Sequence, residues 1–525
     1  MEKLQKILIG AMVFFFLLGA VALVLLLRPE PVAQAATTQP AQMLTQSIRR
    51  YPDNLRLGQV LTERAFTTPE GQTTTLSAHL GAEWTLCMYW GSWCGYCEKQ
   101  VELLTPLAQE LEDQGVKVLL IDKMDPKKES MEAAKTAISE KEIPFDWIVD
   151  SDLSVYQELG MHIIPTTFFL DSTGQVRLCR AGTIQSEAEL AALLEYTKNG
   201  GAAGTEGFLR ENLLNSEGGV SMHVYESSVQ SPSGRDVLAE SQGLLMEYAA
   251  ETHDRALFSQ AYGYVKAHLD QQGLLAWYAS NEETGNVNAL LDDLRVLKSL
   301  DAMGGYTEDV MFRAIAIAAG NRDKKGNLVD FYSFPDGSRA SRLTMCYCDW
   351  QALELIRPLV PGFGNSLARA EEILAGAYLG DDFPFYANYY DYETKTYDDS
   401  SLNMAEAMLT LLHQAQAGRL EEPALRWLRT QMAGDGIFAR YDIHGNVVSG
   451  GDYESAAIYA IVGLIAQEVG DDLLLTQAVS RMESFRCFRA GDPLNGAFAD
   501  SLENVNAFDQ CLALVLYAGM NSQET

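Results

Sequence analysis

Tyr89-Trp90-Gly91-Ser92-Trp93-Cys94-Gly95-Tyr96-Cys97 sets two cysteines two residues apart at the end of a short apolar stretch, Trp84 to Trp90, rich in strand formers. The residues after it, 98–114, repeat apolar side chains at helical spacing, so the local expectation is strand, turn, helix. Cys94 then falls in the first helical turn, where unpaired backbone N–H groups and the helix dipole favour a thiolate. A pair so placed reads as a redox couple. The alternatives are a metal site or a redox-dead remnant. Zinc asks for further ligands, and no second cysteine pair at ligand spacing and no nearby histidine pair is present. A second signature, Ile164-Pro165-Thr166-Thr167, follows downstream.

Working outward, 57–198 alternates strand-like stretches (116–121, 147–149, 166–170, 176–179) with helix-like ones (131–141, 187–198), an α/β pattern. The nine residues 199–207, with four glycines, read as a linker. From 208 to 525 the pattern becomes helices in succession: 237–252, 257–269, 289–303, 308–319, 350–359, 366–378, 402–416, 423–432, 453–469, 473–485 and 506–518. No fixed repeat of the solenoid kind occurs, and a closed toroid of helical hairpins fits better.

On the N-terminal side, 7–27 is an unbroken run of 21 uncharged residues with Lys3 and Lys6 before it, long enough to span a bilayer of roughly 30 Å. Residues 1–28 are therefore expected to be a membrane anchor; Ala33-Gln34-Ala35 offers the competing reading of a cleaved secretory signal. Both place the rest outside the cytoplasm. Residues 29–56 are expected to be a tether, since 29–46 is mainly Ala, Gln, Thr and Pro. A net charge of -32 disfavours nucleic acid. Eight cysteines are too few to scaffold 525 residues, although Cys487 and Cys511 could pair.

The motifs of 57–198 resemble the thioredoxin superfamily, specifically its membrane-tethered extracytoplasmic members. The resemblance makes Cys94 the nucleophile, Cys97 the resolving thiol, Pro165 a cis-proline beside the substrate, and Trp93 a shield and contact surface. It implies a protein thiol or disulfide as redox partner and no cofactor or metal. Thioredoxins usually place a buried carboxylate where this chain has Met88, which leaves the direction of electron flow open. Cys87 reads as a buried small apolar residue.

Ala239-Glu240-Ser241-Gln242-Gly243-Leu244-Leu245-Met246 resembles the acid motif of glycoside hydrolase family 8, whose fold is an (α/α)6 toroid, and Asn288 to Val296 resembles its second acidic motif. An inverting glycosidase needs a carboxylic acid for the leaving oxygen and a carboxylate to activate water. The resemblance makes Glu240 the acid and Asp293 a subsite carboxylate with Asp292 beside it, while Leu291 stands where the family has another aspartate. The base is expected among Asp399, Glu406 and Glu454, each of which could instead cap or begin a helix. Trp277, Tyr278, Tyr386 and Tyr389 are candidate sugar platforms. The expected whole is a membrane-anchored extracytoplasmic protein joining a thiol-disulfide oxidoreductase to a helical domain acting on an exopolysaccharide. A non-catalytic glycan-binding or docking domain is the alternative. A sugar-isomerase-like domain is a third, weakened by only seven histidines, none paired in a helical motif.

Overall fold

Trp84–Trp90 is apolar at nearly every position, and a strand reads that way only when both its faces are covered. The computed structural model describes residues 60–522 except 160, 226–235, 281–282, 488–493 and 500–503. There Trp84–Trp90 (β3) lies near the middle of a seven-stranded sheet that also contains Ala65–Thr67 (β1), Thr73–Thr75 (β2), Val116–Asp122 (β4), Asp146–Val149 (β5), Thr166–Asp171 (β6) and Val176–Ala181 (β7). The order is β2-β1-β5-β4-β3-β6-β7, with β3, β4 and β5 parallel and the other pairings antiparallel. Leu86, Met88 and Trp90 enter one core layer with Val101, Leu104 and Phe169; Cys87 and Tyr89 enter the other with Leu119, Ile121 and Phe168. Gly95–Leu104 (α1), Ala108–Asp113 (α2), Met131–Glu140 (α3) and Ser154–Glu158 (α4) complete this module with the next helix.

That helix, Glu187–Phe208 (α5), runs straight through the expected linker 199–207. The glycines there serve close approach. A Cβ on Gly201 would stand 2.5 Å from the Tyr517 hydroxyl and 2.7 Å from both Arg486 and Glu483. Arg486, fully buried, donates to Glu483 (2.6 and 2.8 Å), Thr205 Oγ1 (2.7 Å), the Gly496 carbonyl (2.7 Å) and Tyr517 OH (2.8 Å), and its guanidinium lies 5.1 Å from the Tyr196 ring. The join between the modules is thus a continuous helix pinned by a buried ion network, and a glycine-rich composition that read as a linker serves packing within that helix.

All eleven expected helices are present beyond it: Ala239–Glu251 (α6), Arg255–Tyr264 (α7), Leu290–Met303 (α8), Thr307–Gly320 (α9), Trp350–Ile356 (α10), Phe363–Gly376 (α11), Met404–Gln416 (α12), Glu422–Ala433 (α13), Ala456–Val469 (α14), Asp472–Glu483 (α15) and Ala507–Ser522 (α16). The even-numbered ones pack in a ring, α6 on α8, α8 on α10, α10 on α12, α12 on α14, α14 on α16, and α16 back on α6. The ring closes because these helices are apolar on nearly every side; all residues of α14 from Ala456 to Gly463 are buried. The first turns of α6, α8 and α12 come together, whereas α10 begins deeper in the ring, its cap Asp349 lying 3.3 Å from Lys298 in the third turn of α8. No helix among the described residues is long and apolar enough to cross a membrane, and the expected anchor and tether lie outside the described residues.

Candidate functional site

At the first centre, the Cys94 sulfur is the N-cap of α1 and accepts from the Cys97 backbone N–H at 3.2 Å. Cys94 and Cys97 are disulfide-bonded, with Cα atoms 5.2 Å apart. Cys94 is 8 % exposed and Cys97 is wholly buried, so an external thiol reaches Cys94 first. The Ile164–Pro165 peptide is cis, and the Ile164 carbonyl lies 3.6 Å from Cys94 Sγ. Gln100 on the next turn of α1 donates to Thr167 Oγ1 at 2.7 Å and accepts from the Ile184 N–H at 3.1 Å, locking the couple to the proline strand. Trp93 folds back over Gly91, where a Cβ would come within 2.9 Å of its indole nitrogen.

Met88 is buried and apolar, and two carboxylates stand instead beside the strand end and loop that lead into the couple. Asp122 at the end of β4 pairs with Trp90 across the sheet, and Glu129 accepts from the Ser92 N–H at 3.0 Å; both are buried. Burial, then the neighbouring Glu129, raises the Asp122 carboxyl well above the usual range. Sequence reading missed both. A charged residue closing an apolar strand was the available signal for Asp122, whereas Glu129 sits in an ordinary polar loop. Cys87 is a core residue whose thiol burial pushes up to about 12.

The second centre is assembled from three first turns. Glu240 opens α6, Asp292 opens α8 and Glu406 opens α12. Gly243 lets α6 approach α8 closely, its would-be Cβ 3.1 Å from Arg295 Cβ. Arg295 Nη1 thereby lies 3.4 Å from Glu240 and 3.3 Å from Asp292. Gln242 is structural: it accepts from the Val220 N–H at 3.0 Å and donates to the Gly218 and Ala261 carbonyls. Burial raises the Asp292 carboxyl, with Arg295 opposing and Glu240 adding to the rise. Burial and the Glu240 charge push Glu406 up to about 7 against the pull of Arg342 and Arg440. Asp330, another residue that sequence reading missed, holds Arg342 at 2.9 Å and Thr344 N–H at 2.6 Å beside them.

Asp293 is placed apart from this cluster. Its oxygens accept from the Leu275 N–H (2.8 Å) and Asn288 Nδ2 (2.6 Å), so it ties α8 to neighbouring loops. Asp399 is exposed and is not the helix cap; that position belongs to Asn403, which accepts from the Ala405 N–H at 3.0 Å. Glu454 is bound by Tyr459 and by Arg481 at 3.2 Å. Tyr389 stacks 4.8 Å from the Arg342 guanidinium, at the edge of the cluster. The Trp277 carbonyl accepts from the Ala239 N–H at 2.9 Å, which sets Trp277 and its ring neighbour Tyr278, 4.4 Å away, next to the start of α6. Tyr386 packs on Tyr378 at 5.5 Å, at the rim of the helical core. Below Arg295 the ring encloses a cavity of about 130 Å³ whose lining includes Lys298, Asp349 and His413. Lys298 bridges Glu247 (3.1 Å) and Asp349 (3.3 Å), and burial pushes His413 down to about 4, leaving it neutral.

Comparison with known proteins agrees with both halves. Residues 57–179 match the family model of the AhpC/TSA family. The thiol-disulfide oxidoreductase ResA of Geobacillus thermodenitrificans is 28% identical over 99 residues, 19% of this chain and 55% of that protein, so this chain spans little more than half of that relative's length. The putative lipoprotein YdaJ of Bacillus subtilis is 24% identical over 319 residues, 59% of this chain and 84% of YdaJ. A novel alpha-amylase from Clostridium perfringens superposes with a TM-score of 0.55 at 22% identity, covering 61% of this chain and 97% of that one. The chain therefore carries a thioredoxin-like domain of the AhpC/TSA type, followed by a helical domain with the fold of that amylase.

Proposed function

We propose that this chain is an extracytoplasmic, membrane-anchored protein in which a thiol-disulfide oxidoreductase centre, Cys94 with Cys97, is joined to a glycosidase cleft that acts on an exopolysaccharide. Cys94 forms the mixed disulfide, Cys97 resolves it, and Pro165 and Trp93 border the docked partner. In the helical ring Glu240 and Glu406 act as the acid and base pair, with Asp292 and Arg295 beside them and Tyr389, Trp277 and Tyr278 as sugar platforms. The observation that carries the reading is the convergence of Glu240, Asp292 and Glu406, distant in sequence, on one end of the ring. A carboxyl near 7 suits proton transfer at neutral pH, which fits Glu406 as the base that takes a proton from the attacking water. The name lipoprotein borne by YdaJ supports a surface location, and the amylase places α-linked glucans beside β-linked and amino-sugar polymers in a substrate screen.

The test is hydrolysis by the full chain and by Glu240→Gln and Glu406→Gln, each expected to lose about a thousandfold or more of kcat. Wild-type turnover in either variant would remove that residue from the mechanism. A second reading, glycan binding without turnover, is favoured by Leu291, a buried leucine where the family motif has a carboxylate. It predicts saturable binding of a glycan that the wild-type chain never cleaves.

A further inference from the structure

The protein is strongly acidic, with 71 Asp and Glu against 39 Lys and Arg, yet the rim of its redox couple is cationic. Lys128 holds its ammonium 3.8 Å above the Trp93 ring, immediately beside Cys94. Lys127 precedes it on the same exposed turn. Lys99, also exposed, lies 5.7 Å from the ring of Tyr96, and Lys123 sits 3.9 Å over Tyr156. Among the described residues none of these four makes an ion pair, whereas Lys117, Lys135 and Lys141 of the same module each do.

Three of the nearby acids are already engaged, while Glu102, exposed on α1, makes no ion pair with Lys99. Glu98 pairs with Lys141, Asp125 accepts from the Lys127 N–H at 3.0 Å, and Glu129 is buried beneath Ser92. Tyr96, between the two cysteines and with Lys99 near its ring, is 67% exposed, the most exposed aromatic ring of the module. An apolar ring bordered by ammonium groups that form no ion pair recognises an apolar side chain flanked by carboxylates. Unpaired charges around a reaction centre also raise the encounter rate of partners of opposite sign.

We propose that the redox partner of Cys94 is a protein segment whose cysteine is flanked by acidic residues, seated with an apolar side chain on Tyr96 and its carboxylates against Lys99, Lys127 and Lys128. The proposal rests on the redox reading of Cys94 and Cys97 and specifies its substrate. In the reducing direction the Cys94 thiolate attacks one sulfur of the partner disulfide and the other partner sulfur leaves as a thiolate. The Cys97 thiolate then attacks Cys94 Sγ, which closes the ring disulfide and releases the second partner thiolate. Two electrons pass to the partner, and the reverse sequence oxidises a partner dithiol.

The experiment uses the full chain, pre-reduced and freed of reductant, with two peptides of equal length. Each carries one cysteine blocked as a mixed disulfide with thionitrobenzoate, flanked by glutamates in one and lysines in the other. Rates are divided by those of dithiothreitol with the same peptides to remove intrinsic reactivity. The acidic peptide is expected to react about tenfold faster at low ionic strength, with the preference shrinking as salt is raised. A Lys127→Glu/Lys128→Glu variant, altered only at exposed positions, is expected to reverse it. Equal normalised rates, or a preference indifferent to the double reversal, overturn the docking surface alone. Failure of both peptides to react overturns the redox reading together with it, and failure of the acidic peptide alone overturns the docking surface.

Discussion

The two centres use the same device and distribute it differently. Each is built at helix N-termini, where backbone N–H groups favour negative charge. The redox centre occupies one such terminus, and its two reactive atoms are three residues apart. The acid cluster occupies three, taken from α6, α8 and α12, and exists only because the ring closes. A centre held by one helix depends on local folding. One shared among helices depends on the whole domain, so the two should respond to perturbation in different ways.

The widest separation is chemical. Cys94→Ser should abolish disulfide exchange, a loss of at least about a thousandfold, while leaving glycan binding or hydrolysis at the wild-type level. Glu406→Gln should do the converse. Loss of both functions in either variant would show the centres to be coupled. Next in size is the network that both modules share. Arg486→Met strands Glu483 in the interior and should cost about 3 to 5 kcal/mol, read as a lower thermal midpoint for both activities. The double variant with Glu483→Gln should recover much of that loss. Separate melting of the modules in the wild type would break the comparison.

A smaller effect follows pH. A carboxyl whose pKa is raised on folding holds its proton more tightly in the folded chain. Its contribution to stability is therefore complete below the unfolded value, near 4.3 for Glu, and is lost as pH rises through the folded one. For Glu406 that window closes at about 7, and Asp292 and Asp122 slope the same way. Denaturant midpoints should fall between about pH 4 and 7, and Glu406→Gln should flatten part of that fall. A wild-type slope of opposite sign would contradict the burial of these groups.

The smallest test is a difference in sign along one helix. Gly207→Ala in α5 meets nothing within 4 Å and should stabilise by up to about 1 kcal/mol. Gly201→Ala drives a methyl group into Tyr517, Arg486 and Glu483 and should destabilise by about 1 to 3 kcal/mol. Equal effects would mean that the glycines of 199–207 do not serve packing.

What could be read from the chain follows the same division. The strand, couple and helix around Cys94 were legible because their signals are contiguous. The helices of the ring were legible because each repeats apolar residues at helical spacing. Placement was not. Asp292 and Asp293 are adjacent and chemically alike, and only the α8 register separates the one facing Arg295 from the one sealed by Asn288. Asp399, Glu406 and Glu454 were all candidates for the base, and only the ring shows that Glu406 lies in the field of Glu240. Asp122, Glu129 and Asp330 carry no local motif, and Arg295, though inside the second acidic motif, has a partner across the ring, Glu240, that its local sequence does not name. Glycine clusters mislead most, since the same residues permit a flexible linker and a tight helix contact.

The continuity of α5 gives the molecule an angular setting. An α-helix turns about 100° per residue, so one residue inserted between the body of the redox module and Gly201 would rotate the Cys94 face by roughly that angle about the helix axis relative to the ring, and two by about 200°. Chain length in this segment acts as a dial that selects which side of the ring the disulfide faces. Homologous chains that keep both modules working toward one surface should therefore vary here by whole turns, in steps of about three or four residues.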